Sequence, residues 1–252
     1  MPKKGVHEIM VFPQLGCPSS ASLKKKKYFF AVEGQDGTGK QTQATALVEA
    51  LKKNGLRVLK VATPAYGSKA CYLLERWRNK ELDVGNEYAI ASLYAHDRLA
   101  VALDLVAPAL LADSDYDGVV ADRWTASNVA HCGGRILNGH ETQVKEFEKF
   151  LAWVTQFEHD LLGIQRPINL VLDVSAENSE RLARARATDM DKVENTVVAM
   201  KQAKTVYDLM CVRDPNSYWK IKCQSDDGKL LSQEKITGNL FDRVVNHMWG
   251  IE

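Results

Sequence analysis

The chain has 252 residues, 45% of them hydrophobic, with 33 Lys plus Arg against 32 Asp plus Glu. That size predicts one large domain around one sizeable core, and the near-neutral balance excludes a general attraction to nucleic acid or anionic membrane, so any anion must be held by a local site. The longest greasy stretch, 101–112, is broken by Asp104 and Pro108 and is shorter than a membrane span, so a soluble protein is expected.

Residues 1–27 contain Pro2, Pro13, Gly16, Pro18, three serines and the lysine run 24–27, without a sustained period of either kind, and read as a flexible tail. The segment has no arginine and only a short apolar piece, which matches neither a transit peptide nor a secretory leader. The five cysteines (Cys17, Cys71, Cys132, Cys211, Cys223) are odd in number and form no CxxC pair. Inert thiols in a reducing compartment, the cytoplasm, are expected rather than a disulfide framework or a zinc site.

From Tyr28 the pattern becomes regular. Residues 28–32 form a continuous apolar run suited to a buried parallel strand, and it leads into a glycine-rich turn. A helix is predicted from about 40 to 54, with Ala46, Leu47, Ala50 and Leu51 on one face and Gly55 as its stop. Strands at 56–61, 118–121, 168–174 and 218–223 then alternate with helices at 88–112, 144–161, 191–210 and 234–247. Five strands separated by helices predict an α/β fold with a parallel sheet covered on both faces.

The turn after the first strand reads Gly34-Gln35-Asp36-Gly37-Thr38-Gly39-Lys40, the GxxxxGK core of a Walker A phosphate loop. Its glycines let backbone N–H groups point at phosphate oxygens, the helix dipole adds positive potential, and Lys40 reaches the β and γ phosphates. Residues 34–42 are therefore the expected ATP site. The position after the lysine, usually a Ser or Thr that ligates Mg²⁺, is Gln41, whose amide oxygen is the remaining candidate ligand. Thr42 follows, but one step along a helix turns a side chain by about 100°.

The wider loop, Glu33-Gly-Gln-Asp-Gly-Thr-Gly-Lys-Gln-Thr-Gln43, resembles the EGxDGxGKSTQ signature of thymidylate kinases. Pro64-Ala-Tyr-Gly67 is similar to that family's PRYG-like segment, Ser92-Leu-Tyr-Ala-His-Asp-Arg98 to its LFAxDR helix, and Asp122-Arg-Trp-Thr-Ala-Ser-Asn128 to its DRYxxSN segment. The arginine-rich stretch 181–186 and the acidic stretch 191–194 look like its lid. The resemblance covers about residues 28–247. It implies a P-loop NTPase fold with a five-stranded parallel sheet in the order 2-3-1-4-5, a kinase domain at 28–252 with a lid near 181–192, and a homodimer. The implied activity is Mg²⁺-dependent transfer of the ATP γ-phosphate to dTMP.

The resemblance also implies roles. Asp36 meets the sugar 3′-hydroxyl and Arg123; Arg123 grips the acceptor phosphate; Asp122, at the end of an apolar strand, reaches toward Mg²⁺ with Gln41. Tyr94 replaces the phenylalanine that stacks on the base, and Arg98, one turn later on the same helix face, donates at the base edge where Asn128 accepts. Tyr66 and Ser127 complete the acceptor contacts, and His131 occupies the tyrosine position near the sugar 2′ carbon. Lys40, Arg184 and Arg186 neutralise the transferring phosphoryl group. Departures at Gln41, Ala65, Tyr94 and His131 leave two alternatives: a kinase for another, possibly modified, deoxynucleoside monophosphate, or a nucleotide-binding regulatory protein whose catalysis has decayed.

Overall fold

The computed structural model describes residues 26–137, 141–186 and 190–251, with the side chains at 141–142, 183, 185–186 and 190–196 outside that description. The expected tail, 1–27, falls almost wholly outside it. The apolar run after the tail becomes β1 (Tyr28–Glu33), whose last five residues are all buried. It lies between β3 (Gly118–Asp122) and β4 (Ile168–Asp173), with β2 (Val58–Ala62) beyond β3 and β5 (Tyr218–Lys222) beyond β4. Every pairing is parallel, and the order 2-3-1-4-5 is the one expected.

Nine α-helical segments surround the sheet among the described residues: α1 (Lys40–Lys53), α2 (Tyr72–Arg78), α3 (Glu87–Val101), α4 (Ala107–Ala109), α5 (Thr125–Leu137), α6 (Glu141–Val154), α7 (Ala176–Arg186), α8 (Met190–Arg213) and α9 (Gln233–Trp249). The two-residue period of β1 explains why the run is apolar throughout. Phe30 and Val32 pack with α1 and α9, through residues such as Leu47 and Leu240. Phe29 and Ala31 face the other way, toward Val101, Trp124 and Ile164. A third cluster joins α5, α6 and α8, where Phe147 and Phe150 are fully buried and each contributes roughly 1.5–3 kcal/mol of transfer free energy. α5 and α8 approach closely because Gly134 has no side chain: a Cβ there would lie 2.9 Å from the Gln202 carbonyl carbon.

The structure departs from the expected boundaries in physical ways. The predicted helix 88–112 is α3, a π-helical turn at Ala102–Val106, and the short α4. Pro108 lacks an N–H and crowds the carbonyl four residues earlier, so the regular ladder cannot run through. The predicted helix 144–161 likewise changes to a π-helical turn at Thr155–Leu161. β2 starts at Val58 rather than 56 because the Leu56 N–H still closes the end of α1 on Leu51 and the Arg57 N–H is taken by Asp117. Helices α2, α5 and α7 went unpredicted; α5 begins inside the Asp122–Asn128 motif, where short polar residues masked its period.

Candidate active site

The C-terminal ends of β1, β2 and β3 open onto a cavity of about 670 Å³. The phosphate loop forms its floor. Gly34, Gly37 and Gly39 have φ of +142°, +83° and +84°, so each occupies backbone space that an L side chain rarely enters. At Gly34 the constraint is double, since a Cβ would also meet Thr38 Oγ1 at 3.0 Å. α1 starts from Gly39 with no side-chain cap, whereas α3 is capped by Asn86 and α9 by Ser232. The unpaired N–H groups at the start of α1 are thus left for an anion.

Within the loop, Lys40 is 4% exposed and donates to the Gln35 carbonyl at 2.7 Å, with Asp36 3.7 Å away. Burial, reinforced by nearby Arg123, pushes the Lys40 ammonium down to about 7 despite the neighbouring acids. Thr38 also donates to the Gln35 carbonyl. The Gln35 side chain turns away from the cavity, donating to the Val174 carbonyl and to Ser179, so this residue faces a ligand through its backbone.

Arg123 closes the other wall. Its φ is +67°, an uncommon conformation for a non-glycine residue, and it is held by its N–H donating to the Val32 carbonyl and by Thr63 donating to its own carbonyl. The guanidinium Nη2 donates to Asp36 Oδ1 at 2.6 Å, and Nη1 lies 3.4 Å from His131 Nε2. Burial raises the Asp36 carboxyl, but His131, Arg123 and Lys40 outweigh it and hold the group well below the usual carboxylate range. Burial takes His131 itself down to about 4, so at neutral pH it is uncharged and Arg123 is the full positive charge beside Asp36.

Asp122 ends β3 facing the same cavity; its carbonyl accepts from the Thr63 N–H, while its carboxylate makes no hydrogen bond or ion pair among the described residues. Burial raises its carboxyl, with Arg123, Lys40 and Lys60 opposing. A desolvated carboxylate without a bonded partner, opening onto a phosphate-binding loop, fits Mg²⁺, which takes one or two carboxylates and completes its shell with phosphate and water. Gln41 and Thr42 line the cavity beside it. No group of three or more His, Cys, Asp or Glu suited to a metal occurs among the described residues, so phosphate oxygens would have to complete the site.

The rest of the cavity is lined in part by Tyr66, Tyr94, Arg98, Ser127, Asn128 and His131. α5 presents the last three, at positions that share one helix face. The Ser127 hydroxyl is engaged, donating to Glu33 at 2.6 Å. Arg98 and Asn128 are 2% and 4% exposed and both bond Glu158. Tyr94 packs edge-on against Trp77 at 6.1 Å between centroids. Arg184 stands apart from the cavity: it is exposed on α7 and its Nη2 pairs with Glu180 of the same helix at 2.8 Å. The Arg186 side chain, like much of the expected lid at 181–192, lies outside the described residues.

Several residues at or beside the site were given no role by the motifs. Arg78 of α2 stacks on the Tyr66 ring 4.5 Å from its centroid, and Arg135 pairs with Glu87 through Nε and Nη2; both arginines line the cavity. Arg135 was accessible in principle, being one turn after His131 had α5 been recognised. Fully buried Glu33 accepts from the Trp124 N–H, Ser127 and Tyr207, tying β1 to the segment that follows Arg123. Lys40, Arg78, Arg98, Arg123 and Arg135 against Asp36 and Asp122 give the lining a positive excess that the near-neutral chain as a whole lacks.

Comparison with known proteins gives the family. The family model described as thymidylate kinase matches residues 32–224. A protein named thymidylate kinase from Mycobacterium tuberculosis (strain ATCC 25618 / H37Rv) is 30% identical over 210 residues, covering 79% of this chain and 94% of its own. One of the same name from Synechococcus sp. (strain JA-2-3B'a(2-13)) is 35% identical, covering 64% of this chain and 70% of its own. In Methylobacillus flagellatus another is 30% identical, covering 64% and 72%.

Proposed function

This chain belongs to the thymidylate kinase family, and we propose that it transfers the γ-phosphate of ATP to dTMP, giving dTDP and ADP. The observation that carries the reading is the Asp36–Arg123 pair, which sets an acceptor-phosphate cation beside the loop that would hold the donor phosphates. An oxygen of the acceptor phosphate attacks the γ-phosphorus in line; the new P–O bond forms as the bridging bond to the β-phosphate breaks, and ADP leaves. No protein nucleophile is needed, so the residues act by positioning and by stabilising charge.

In this reading the N–H groups of residues 34–42 hold the donor phosphates. Lys40 exchanges the Gln35 carbonyl for β and γ oxygens, and their charge draws it back to the protonated form. Arg123 offers a planar guanidinium to the acceptor phosphate. Asp36 orients Arg123 and accepts from the sugar hydroxyl. Mg²⁺, held by Asp122 with Gln41, would neutralise charge across the donor phosphates. Arg184 and Arg186 are assigned as lid cations. The exposed Arg184–Glu180 pair is worth only a fraction of a kcal/mol, so phosphate can displace it at little cost. Tyr94 would cover the base, with Tyr66 and Ser127 along the acceptor wall and His131 beside the sugar.

No helix among the described residues is long and apolar enough to cross a membrane. Cys71, Cys132, Cys211 and Cys223 are free thiols, which supports a reducing, cytoplasmic setting. We place the chain in a homodimer packed through its long helices, a reading supported by exposed Leu103 and Leu105 in the π-helical turn that follows α3.

The test is a coupled ADP-release assay of the full chain with ATP, Mg²⁺ and a panel of dTMP, dUMP, dCMP, dAMP and dGMP. Stimulation greatest with dTMP is expected. Equal or absent stimulation across the panel would sink the assignment.

A further inference from the structure

We infer that Glu158 is a positioning residue that decides which base edge the acceptor pocket takes, an inference that rests on the acceptor reading above. Glu158 is 0% exposed and sits in the π-helical turn Thr155–Leu161. Such turns concentrate at functional sites because they displace a side chain from the regular helical register.

Its carboxylate accepts four hydrogen bonds: Arg98 Nε at 2.6 Å, Arg98 Nη2 at 3.0 Å, Thr125 Oγ1 at 3.0 Å and Asn128 Nδ2 at 2.8 Å. Burial alone would raise the Glu158 carboxyl, but the Arg98 charge and these hydrogen bonds bring it below its ordinary value, so it stays ionised.

The consequence lies in what remains unspent. Asn128 Nδ2 also donates to the Ala91 carbonyl at 3.0 Å. A carbonyl oxygen and an ionised carboxylate can only accept, so the amide of Asn128 is locked with its nitrogen toward them. Oδ1 is left, met only by the weak Cys132 thiol donor at 3.5 Å. On Arg98, Nε and Nη2 are taken by Glu158 and Nη1 is left, which can only donate. These two side chains line the cavity, and together they offer one acceptor beside one donor.

The complementary edge is a ring N–H beside a carbonyl oxygen, as in thymine and uracil. Cytosine presents a ring acceptor beside an amino donor and is mismatched at both places. A site built on buried hydrogen-bonding groups rejects a mismatched partner strongly because those groups are then left unpaired. Neither Arg98 nor Asn128 enforces this alone, since an amide can turn over and a guanidinium can swing. Glu158 fixes the guanidinium and, together with the Ala91 carbonyl, the amide.

Glu158→Gln tests the inference in the full chain by steady-state kinetics with ATP and Mg²⁺. The new amide has one acceptor where the carboxylate has two, so whichever way it sits its NH₂ faces an Arg98 N–H, and the hold on Arg98, or on Arg98 and Asn128 together, is loosened. The ratio of kcat/KM for dTMP to that for dCMP should fall about tenfold or more, the factor expected for a hydrogen bond to a charged group. The change should appear in the KM for dTMP while the KM for ATP stays put, a split that general loosening of the fold would not give.

Thr125→Val is the milder, nearly isosteric probe for the case in which Glu158→Gln does not fold. It withdraws one hydrogen bond from the carboxylate, keeps the ion pair, and should raise the KM for dTMP several-fold. A folded Glu158→Gln chain that discriminates as strongly as wild type, or a Thr125→Val chain with unchanged KM for dTMP where the first variant is unfolded, overturns the inference and leaves the kinase assignment standing. A wild-type chain that dTMP does not stimulate removes the assignment and the inference with it.

Discussion

Arg123 and Asp36 meet at 2.6 Å across the cavity from two different strand ends, the first following β3 and the second following β1. Those strands pair in register, Val32 opposite Asp122, so the sheet itself sets the distance between the phosphate loop and the Arg123 guanidinium.

Substituting Arg123 should therefore damage acceptor use more than donor binding. Arg123→Lys keeps the charge and loses the fork that grips phosphate, and should lower kcat/KM for dTMP by about ten- to a hundredfold. The KM for ATP should change little. Initial rates at varied dTMP and varied ATP check this, and an equal loss on both substrates would contradict it.

ATP affinity should depend on pH through Lys40. With the site empty its ammonium titrates near 7, and bound phosphates must raise that value, so binding takes up a proton above neutrality. The apparent Kd for ATP should rise from pH 7.5 to 9, by up to about tenfold per pH unit while the bound form stays protonated. Calorimetry in buffers of different ionisation enthalpy measures the proton uptake directly, and Lys40→Met should abolish it.

His131 predicts the acid side of the stability profile. Its folded value of about 4 lies below the ordinary 6.5, so the unfolded chain binds more protons between those limits. Stability should be fully present above pH 6.5 and fall as the pH drops toward 4, with roughly 1–3 kcal/mol attributable to this group. Thermal unfolding of wild type and His131→Gln across pH 4–7 checks it, because the variant should show the shallower slope.

Gly134→Ala should destabilise without touching the site. The added methyl group meets Gln202 backbone atoms at 2.9–3.0 Å, and backbone between α5 and α8 cannot step aside as a side-chain tip can. A cost of about 1–3 kcal/mol is expected, or a Tm lower by several degrees. Differential scanning calorimetry decides, and an unchanged Tm would show that the two helices separate freely.

By itself the sequence determined what local chemistry dictates. A GxxxxGK loop between a buried apolar run and a helix can be read in order because backbone conformation, helix start and phosphate affinity all arise within seven consecutive residues. The parallel sheet followed from five strands alternating with helices, and β1 is apolar at every position of 28–32 because both of its faces are covered. The pairing of Arg98 and Asn128 with Glu158 was decided only by tertiary structure. These residues lie 60 and 30 positions from Glu158, and no periodicity links a carboxylate in a π-helical turn to a guanidinium on α3. The same holds for Glu33, which stands in the phosphate-loop signature yet gains its partners from α5 and α8. Such contacts arise because a buried charge must find partners wherever the packing brings them, and packing is set by the whole core.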